Sequence, residues 1–175
     1  EARPFQPWVI RTVQGVRVGI LGLTTPGIPQ WEKPENYAGY TFADPVETAR
    51  KLAPELRRQV DVLVVVAHSG QGPANQNENC AAQLAATVPG VDVIIYGHTH
   101  LEVGEARIGD VILTQPKNWG MSLARVDIEL EGGEGKRWRV TSKKSRTIPV
   151  TDATPANPGV LRLGKPYHDV TEQWL

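Results

Sequence analysis

The stretch Val-Asp-Val-Ile-Ile-Tyr-Gly-His-Thr-His, residues 91–100, decides how the rest of the chain is interpreted. Its apolar part is typical of a strand that is buried on both faces, as in a parallel sheet. His98 and His100 follow this strand, and Gly97 beside them lets the backbone turn sharply and approach another group closely. Imidazole is the commonest metal ligand among side chains. The stretch therefore predicts a strand whose carboxyl end carries metal-binding residues.

A second apolar run shows the same pattern in weaker form. Residues 61–67 read Asp-Val-Leu-Val-Val-Val-Ala and are followed directly by His68. A third apolar run covers residues 16–23 and follows a predicted hairpin turn at residues 14–15. Because ligands bind at the carboxyl ends of strands in open α/β sheets, these strand ends are the candidate site.

Helical patterns separate the three apolar runs. One is predicted over residues 44–60, with Asp44 as the capping residue, Pro45 in the first turn and Glu47 completing a capping box. A shorter one is predicted over residues 78–87. The order is a parallel β-α-β-α-β unit of the α/β class. Right-handed crossovers bring all three strand ends to one edge of the sheet, where His68, His98 and His100 would meet.

The pattern changes after His100. Short strands are predicted over residues 103–108, 111–115, 122–130 and 138–142, separated by Gly-Asp and Gly-Gly turns, which indicates an antiparallel meander. Residues 151–158 resemble a linker. A terminal helix is predicted over residues 160–175, with interruptions at Gly164 and Pro166. His168 lies in this tail and is interpreted as a surface or linker residue.

Composition excludes several classes of function. The chain has 19 basic and 19 acidic side chains, and this balance argues against nucleic acid or an anionic membrane as the main partner. Cys80 is the only cysteine, so an intramolecular disulfide and a cysteine-based zinc site are excluded. We expect Cys80 to act as a small buried apolar residue.

These motifs resemble the calcineurin-like metallophosphoesterase superfamily. The Gly-His-Thr-His of residues 97–100 and the Ala-His-Ser-Gly of residues 67–70 carry the resemblance. The segments at residues 22–26, 40–46 and 115–120 are similar to the branch of 5′-nucleotidases and 2′,3′-cyclic-nucleotide phosphodiesterases. The resemblance implies a four-layer α/β/β/α sandwich, a periplasmic or extracellular location, and a nucleotide or cyclic nucleotide as substrate.

The resemblance also implies two divalent metal ions, which could be manganese, zinc, iron or cobalt. His68 and His98 would ligate the second ion, and His100 the first; some members of the branch have glutamine at the position of His100. Two such ions can clamp a phosphate and lower the pKa of a bound water.

The chain departs from the family pattern in the motifs that complete the site. The family has an N-terminal Asp-x-His, a Gly-Asp that supplies a bridging aspartate, and a Gly-Asn-His-Asp/Glu with the catalytic histidine. None of these occurs in its expected place, since the only Gly-Asp, Gly109-Asp110, follows the histidine motif and is predicted as a β-turn. We therefore assign no catalytic residue. Residues 1–150 are expected to be the C-terminal half of the catalytic domain, and residues 151–175 a linker and helix toward a nucleotide-binding domain.

Three alternatives stay open. The chain could be a scaffold module that binds one metal ion or none, since three imidazoles can hold zinc or nickel. It could also belong to a sulfur-oxidising thiosulfohydrolase of the same superfamily, or, less favoured by its charge, bind nucleic acid. A half-domain exposes a sheet edge, and exposed edges invite pairing. We therefore expect either self-association or pairing with the missing N-terminal half.

Overall fold

The computed structural model describes residues 5–72, 78–133 and 136–174. Within these ranges a hairpin opens the chain, with β1 (Trp8–Val13) antiparallel to β2 (Val16–Thr24), as predicted. Two 3-10 turns (Ile28–Gln30 and Pro34–Asn36) lead to helix α1 (Pro45–Gln59). The Asp44 side chain accepts a hydrogen bond from the Glu47 amide at 2.8 Å, which confirms the predicted cap.

The parallel unit follows. Strand β3 (Val62–His68), helix α2 (Ala81–Thr87) and strand β4 (Val93–Tyr96) alternate along the chain. Helix α2 begins three residues later than predicted. The Ser69 hydroxyl bonds to the backbone at Glu78 and Cys80, and such side-chain bonds compete with helical hydrogen bonds.

The remaining elements are β5 (Val103–Ile108), β6 (Val111–Gln115), a 3-10 turn (Asn118–Gly120), β7 (Ser122–Gly133), β8 (Lys136–Pro149) and helix α3 (Pro158–Trp174). The predicted meander forms two antiparallel hairpins, β5–β6 and β7–β8. Residues Gly109 and Asp110 form the turn between β5 and β6, as predicted.

The main sheet has six strands in the order β1-β2-β3-β4-β6-β5. Strand β6 inserts between β4 and β5 and runs parallel to β4, so the sheet has four parallel strands rather than the three predicted. The carboxyl ends of β2, β3, β4 and β6 consequently share one edge. The β7–β8 hairpin forms a separate two-stranded sheet.

One face of the main sheet carries the core. Helices α1 and α2 pack on this face, and the largest apolar side chains there are fully buried: Leu21, Leu56, Leu63, Leu84, Ile94 and Leu113. Full burial of one such side chain contributes roughly 1.5–3 kcal/mol. The opposite face is more open, since Val66 on β3 remains 42% exposed and His68 two residues later is exposed.

Helix α3 differs from its prediction. It runs from Pro158 to Trp174 as one helix that includes Gly164 and Pro166. A proline inside a helix removes one backbone hydrogen bond and can kink the helix without ending it. None of its residues is buried, and His168 is exposed beside Glu172, with 3.2 Å between Nε2 and Oε1. Among the described residues, no helix has the length and apolar character that a membrane crossing requires.

Candidate metal centre

The predicted site lies at the carboxyl edge of the parallel strands. His68 is the last residue of β3, and His98 follows β4 by two residues. The structure brings these two imidazoles together, with ring centroids 5.2 Å apart and ring planes at 70°. His100 lies further along the same loop, and its ring centroid is 6.2 Å from that of Trp119.

The backbone of this loop has an unusual conformation. His98 and His100 have φ angles of 73° and 56°, in the left-handed region that side chains other than glycine rarely adopt. The Thr99 amide between them donates to the Gly97 carbonyl at 2.9 Å, and the Thr99 hydroxyl donates to Gln115 at 3.1 Å. Such strain costs on the order of 1–3 kcal/mol per residue and is concentrated at functional sites.

The electrostatics favour a neutral imidazole at His68. Although His68 is exposed overall, partial desolvation of its ring is the main cause that holds its pKa below the ordinary value, and the nearby His98 and His100 lower this pKa further. His100 is therefore within electrostatic range of His68. A histidine must be neutral to ligate a metal ion, so a lowered pKa prepares this side chain for ligation near neutral pH.

A carboxylate that the sequence analysis did not identify contacts the site. Glu78 Oε1 lies 2.6 Å from His98 Nε2. The two residues are 20 positions apart, and no spacing rule links a residue before α2 to the loop after β4. The one local sequence feature at Glu78 is its place in Glu-Asn-Cys, at the start of the predicted helix.

Two tryptophans flank the histidines. The Trp31 indole stacks on the His98 ring, with centroids 5.8 Å apart and planes at 28°. Trp119 lies beside His100, is 85% exposed, and has a φ of 59°. Neither was predicted as a site residue. Trp119 lies in the segment at residues 115–120 that gave the branch resemblance.

Hydrogen bonds join the loop after β3 to the residues that precede α2. The Ser69 hydroxyl donates to the Glu78 carbonyl at 2.7 Å and accepts from the Cys80 amide at 2.9 Å. The Gly70 amide donates to Asn79 Oδ1 at 3.1 Å. A Cβ at Gly70 would clash with the side chains of Asn79 and Thr99, so only glycine allows this close approach. Cys80 is buried, as expected.

The fit of these residues to a metal ion is partial. In the parts of the chain that the structure describes, no group of three or more His, Cys, Asp or Glu side chains is arranged to hold a metal ion. A neutral imidazole at His68 next to that of His98 nevertheless matches the donor type that zinc, manganese, iron and cobalt accept. The pair fits one part of a larger ligand set.

A cavity lies away from the histidines. It has a volume of about 1420 Å³ and lies at the opposite end of the sheet, between the starts of β3, β4 and β6 and strand β8. Asp92 forms two ion pairs in its lining: Arg57 Nη1 lies 2.7 Å from Asp92 Oδ2, and Lys143 Nζ lies 3.8 Å from Asp92 Oδ1. This ion-pair network joins the helical layer to the β7–β8 hairpin.

Comparison with known proteins places this geometry in context. The model of the calcineurin-like phosphoesterase family matches residues 5–102. The 2′,3′-cyclic-nucleotide 2′-phosphodiesterase/3′-nucleotidase of Salmonella typhimurium is 29% identical, over 98% of this chain and 31% of the relative. The trifunctional nucleotide phosphoesterase protein YfkN of Bacillus subtilis is 30% identical, over 93% of this chain and 12% of the relative.

The fold agrees with these sequence matches. The crystal structure of the calcineurin-like phosphoesterase YfkN from Bacillus subtilis superimposes with a TM-score of 0.85 at 26% identity. The match covers 98% of this chain and 59% of that one. The chain spans less than a third of the length of the two curated relatives named above.

Proposed function

The chain belongs to the calcineurin-like phosphoesterase family, and from this premise we propose that it forms part of a metal-dependent hydrolase of nucleotide phosphate esters. Its substrates would be 2′,3′-cyclic nucleotides or 5′-nucleotides, as the names of its relatives suggest. The single observation that carries the proposal is the approach of His68 to His98 at the carboxyl edge of the sheet, with rings 5.2 Å apart.

His68 and His98 would hold one divalent ion, and His100 would contribute to a second. When bound, such ions polarise a phosphoryl oxygen and lower the pKa of a water molecule. The chain's own contribution is to favour the neutral form of His68, through its lowered pKa, and to hold His98 between Glu78 and Trp31. Imidazole donors suit manganese, zinc, iron or cobalt, so the identity of the metal is part of the proposal's test.

We assign residues 1–150 to the C-terminal half of the catalytic domain and residues 151–175 to a linker with its helix. The family's Asp-x-His and Gly-Asn-His motifs are absent from these 175 residues. The chain by itself is therefore expected to show little or no turnover, since the bridging carboxylate and the catalytic histidine must come from elsewhere.

The open sheet face suggests how the site is completed. Val66 is 42% exposed on the face opposite the helices, and covering such a face would bury apolar surface. We expect the chain to self-associate or to pair with the segment that carries the missing motifs. A strictly monomeric mass by light scattering at high concentration would contradict self-association. A periplasmic or extracellular location is expected from the family branch.

The proposal is tested by hydrolysis of bis(p-nitrophenyl) phosphate with added Mn²⁺. The purified chain should be inactive or nearly so, and activity should appear when a segment with the missing motifs is supplied. His98→Ala should abolish the restored activity. Restored activity that survives His98→Ala would contradict the role assigned to this histidine.

A non-catalytic metal-binding module is the second candidate. It is favoured by the pairing of only two imidazoles among the described side chains, those of His68 and His98, which supply donors for a single ion. Stoichiometry separates the two candidates. The completed hydrolase should bind two Mn²⁺ ions per chain, whereas a simple module should bind at most one whether or not the missing segment is present.

A further inference from the structure

We propose that Glu78 is a positioning residue for His98: its carboxylate accepts a hydrogen bond from Nε2–H and thereby presents Nδ1 of this imidazole to a metal ion. The role in metal binding rests on the proposed function, whereas the contact between Glu78 and His98 does not. It assigns a task to a carboxylate that neither the sequence motifs nor the family match identifies.

The chemistry of the two groups decides which atom donates. Glu78 Oε1 and His98 Nε2 are 2.6 Å apart, which is a short hydrogen bond. A carboxylate in its ionised form can only accept hydrogen bonds, so the proposal assigns the proton between the two atoms to Nε2. In the neutral ring the other nitrogen, Nδ1, then keeps its lone pair. The contact therefore selects one of the two tautomers of His98.

The position of Glu78 is fixed by the strand that carries the neighbouring histidine. Ser69, the residue after His68, donates its hydroxyl proton to the Glu78 carbonyl at 2.7 Å. Gly70 binds Asn79 through its amide at 3.1 Å. The backbone at residues 78–79 is thus held against the end of β3, and the Glu78 side chain bridges from β3 to the loop after β4.

The ring of His98 is held on a second side as well. Trp31 stacks on its face at a centroid distance of 5.8 Å, so rotation of the imidazole would disturb both contacts. Histidines that ligate metals usually donate their other ring N–H to a carboxylate or carbonyl, which fixes the tautomer and raises ligand basicity. The 2.6 Å contact between Glu78 and His98 has the geometry that this arrangement requires.

The first test is independent of metal. Long-range ¹H–¹⁵N spectra of the histidine rings should show His98 of the metal-free chain at neutral pH as the Nε2–H tautomer. Glu78→Ala should convert it to a tautomer mixture, and Glu78→Gln should preserve Nε2–H because the amide oxygen still accepts. Glu32→Ala, which removes an exposed carboxylate bonded to Asn36, is the matched control and should change nothing.

The second test measures Mn²⁺ affinity by calorimetry on the same proteins. We expect Glu78→Ala to weaken binding by about 10–100-fold, the usual effect of losing such a partner, and Glu78→Gln to recover most of it. If Glu78→Gln loses as much as Glu78→Ala, the carboxylate binds the ion directly and the proposal is overturned. An Nδ1–H tautomer in the wild type, or a tautomer that is unchanged in Glu78→Ala, also overturns it.

The two tests separate this inference from the proposed function. If the wild-type chain and the completed enzyme bind no Mn²⁺, the proposed function fails, while the tautomer still decides whether Glu78 orients His98. If metal binds but the tautomer is wrong, only the inference about Glu78 fails. Circular dichroism of each variant shows whether the fold is retained, and Glu78→Gln supplies a variant of nearly unchanged shape.

Discussion

The indole of Trp31 covers one face of the His98 imidazole, and Gly27 makes room for it. A Cβ at Gly27 would lie 2.6 Å from Trp31 Cζ3, closer than real contacts allow. The aromatic contact with His98 at 5.8 Å therefore depends on a residue without a side chain four positions earlier. His98 is thus held by packing as well as by a hydrogen bond.

Gly27→Ala should displace Trp31 from His98. We expect altered tryptophan emission and a several-fold loss of Mn²⁺ affinity, because the imidazole loses one of the contacts that orient it. Gly22→Ala is the matched control, since a Cβ at Gly22 meets nothing within 4 Å. Equal fluorescence and equal affinity in Gly27→Ala and the wild type would show that Trp31 does not position His98.

The thiol of Cys80 should be unreactive in the folded protein. Burial raises its pKa above the ordinary value, although the bond to Ser69 opposes this shift. Less thiolate is then present at a given pH, and the thiolate is the reactive form. Iodoacetamide labelling at pH 8, followed by mass spectrometry, should be slow in buffer and fast in urea. Because Cys80 is the only cysteine, a single mass shift reports on it alone; rapid labelling in buffer would contradict its burial.

Asp92 should be more important for stability than exposed acidic residues. Its Oδ2 accepts from Arg57 Nη1 at 2.7 Å and from the Leu63 amide at 2.8 Å, and its side chain is 15% exposed. Asp92→Ala should lower the free energy of unfolding by roughly 1.5–3 kcal/mol, the range for hydrogen bonds to charged groups. Urea denaturation measures this difference.

Asp169→Ala provides the comparison for Asp92. Asp169 pairs with Lys165 on exposed α3 at 2.8 Å, and such exposed helix pairs contribute about 0.3–0.5 kcal/mol. Equal losses of stability in the two variants would mean that the network around Asp92 does not hold the layers together.

Glu105 should make stability depend on pH in the acid range. The Ser145 amide, followed by Arg107, holds its pKa below the ordinary value. A lowered pKa in the folded state stabilises the protein above the unfolded-state pKa, and this stabilisation is lost as pH falls through the lower, folded-state pKa. Urea unfolding is measured between pH 6 and pH 2, roughly the range of carboxyl titration. The free energy of unfolding should fall less steeply with decreasing pH in Glu105→Gln than in the wild type. An identical slope in both proteins would contradict this.

The sequence predicted that His68 and His98 come together, because local patterns determine their positions. His68 and His98 each follow an apolar run, and parallel strands with right-handed crossovers bring such ends to one edge. The cap at Asp44 and the turn at Gly109 follow local rules and were also predicted. Strand β6 was assigned to the meander because its insertion beside β4 depends on pairing between distant segments.

The contacts of His98 that were not predicted come from residues that are distant from it in the sequence. Glu78 reaches His98 only because Ser69 holds the backbone before α2 against β3. Trp31 reaches the same ring from the loop after β2, where no periodicity marks it. Helix α3 runs through Pro166 although local propensity favours an interruption there.

The central claim, that the strand-end histidines bind metal, is tested most directly by Mn²⁺ titration calorimetry of three variants against the wild type. His68→Ala and His98→Ala should each weaken binding at least 10-fold. His168→Ala, which removes an exposed histidine on α3, should bind like the wild type. Undiminished binding in His68→Ala and His98→Ala, or a loss confined to His168→Ala, would contradict the assignment of the metal centre to this edge of the sheet.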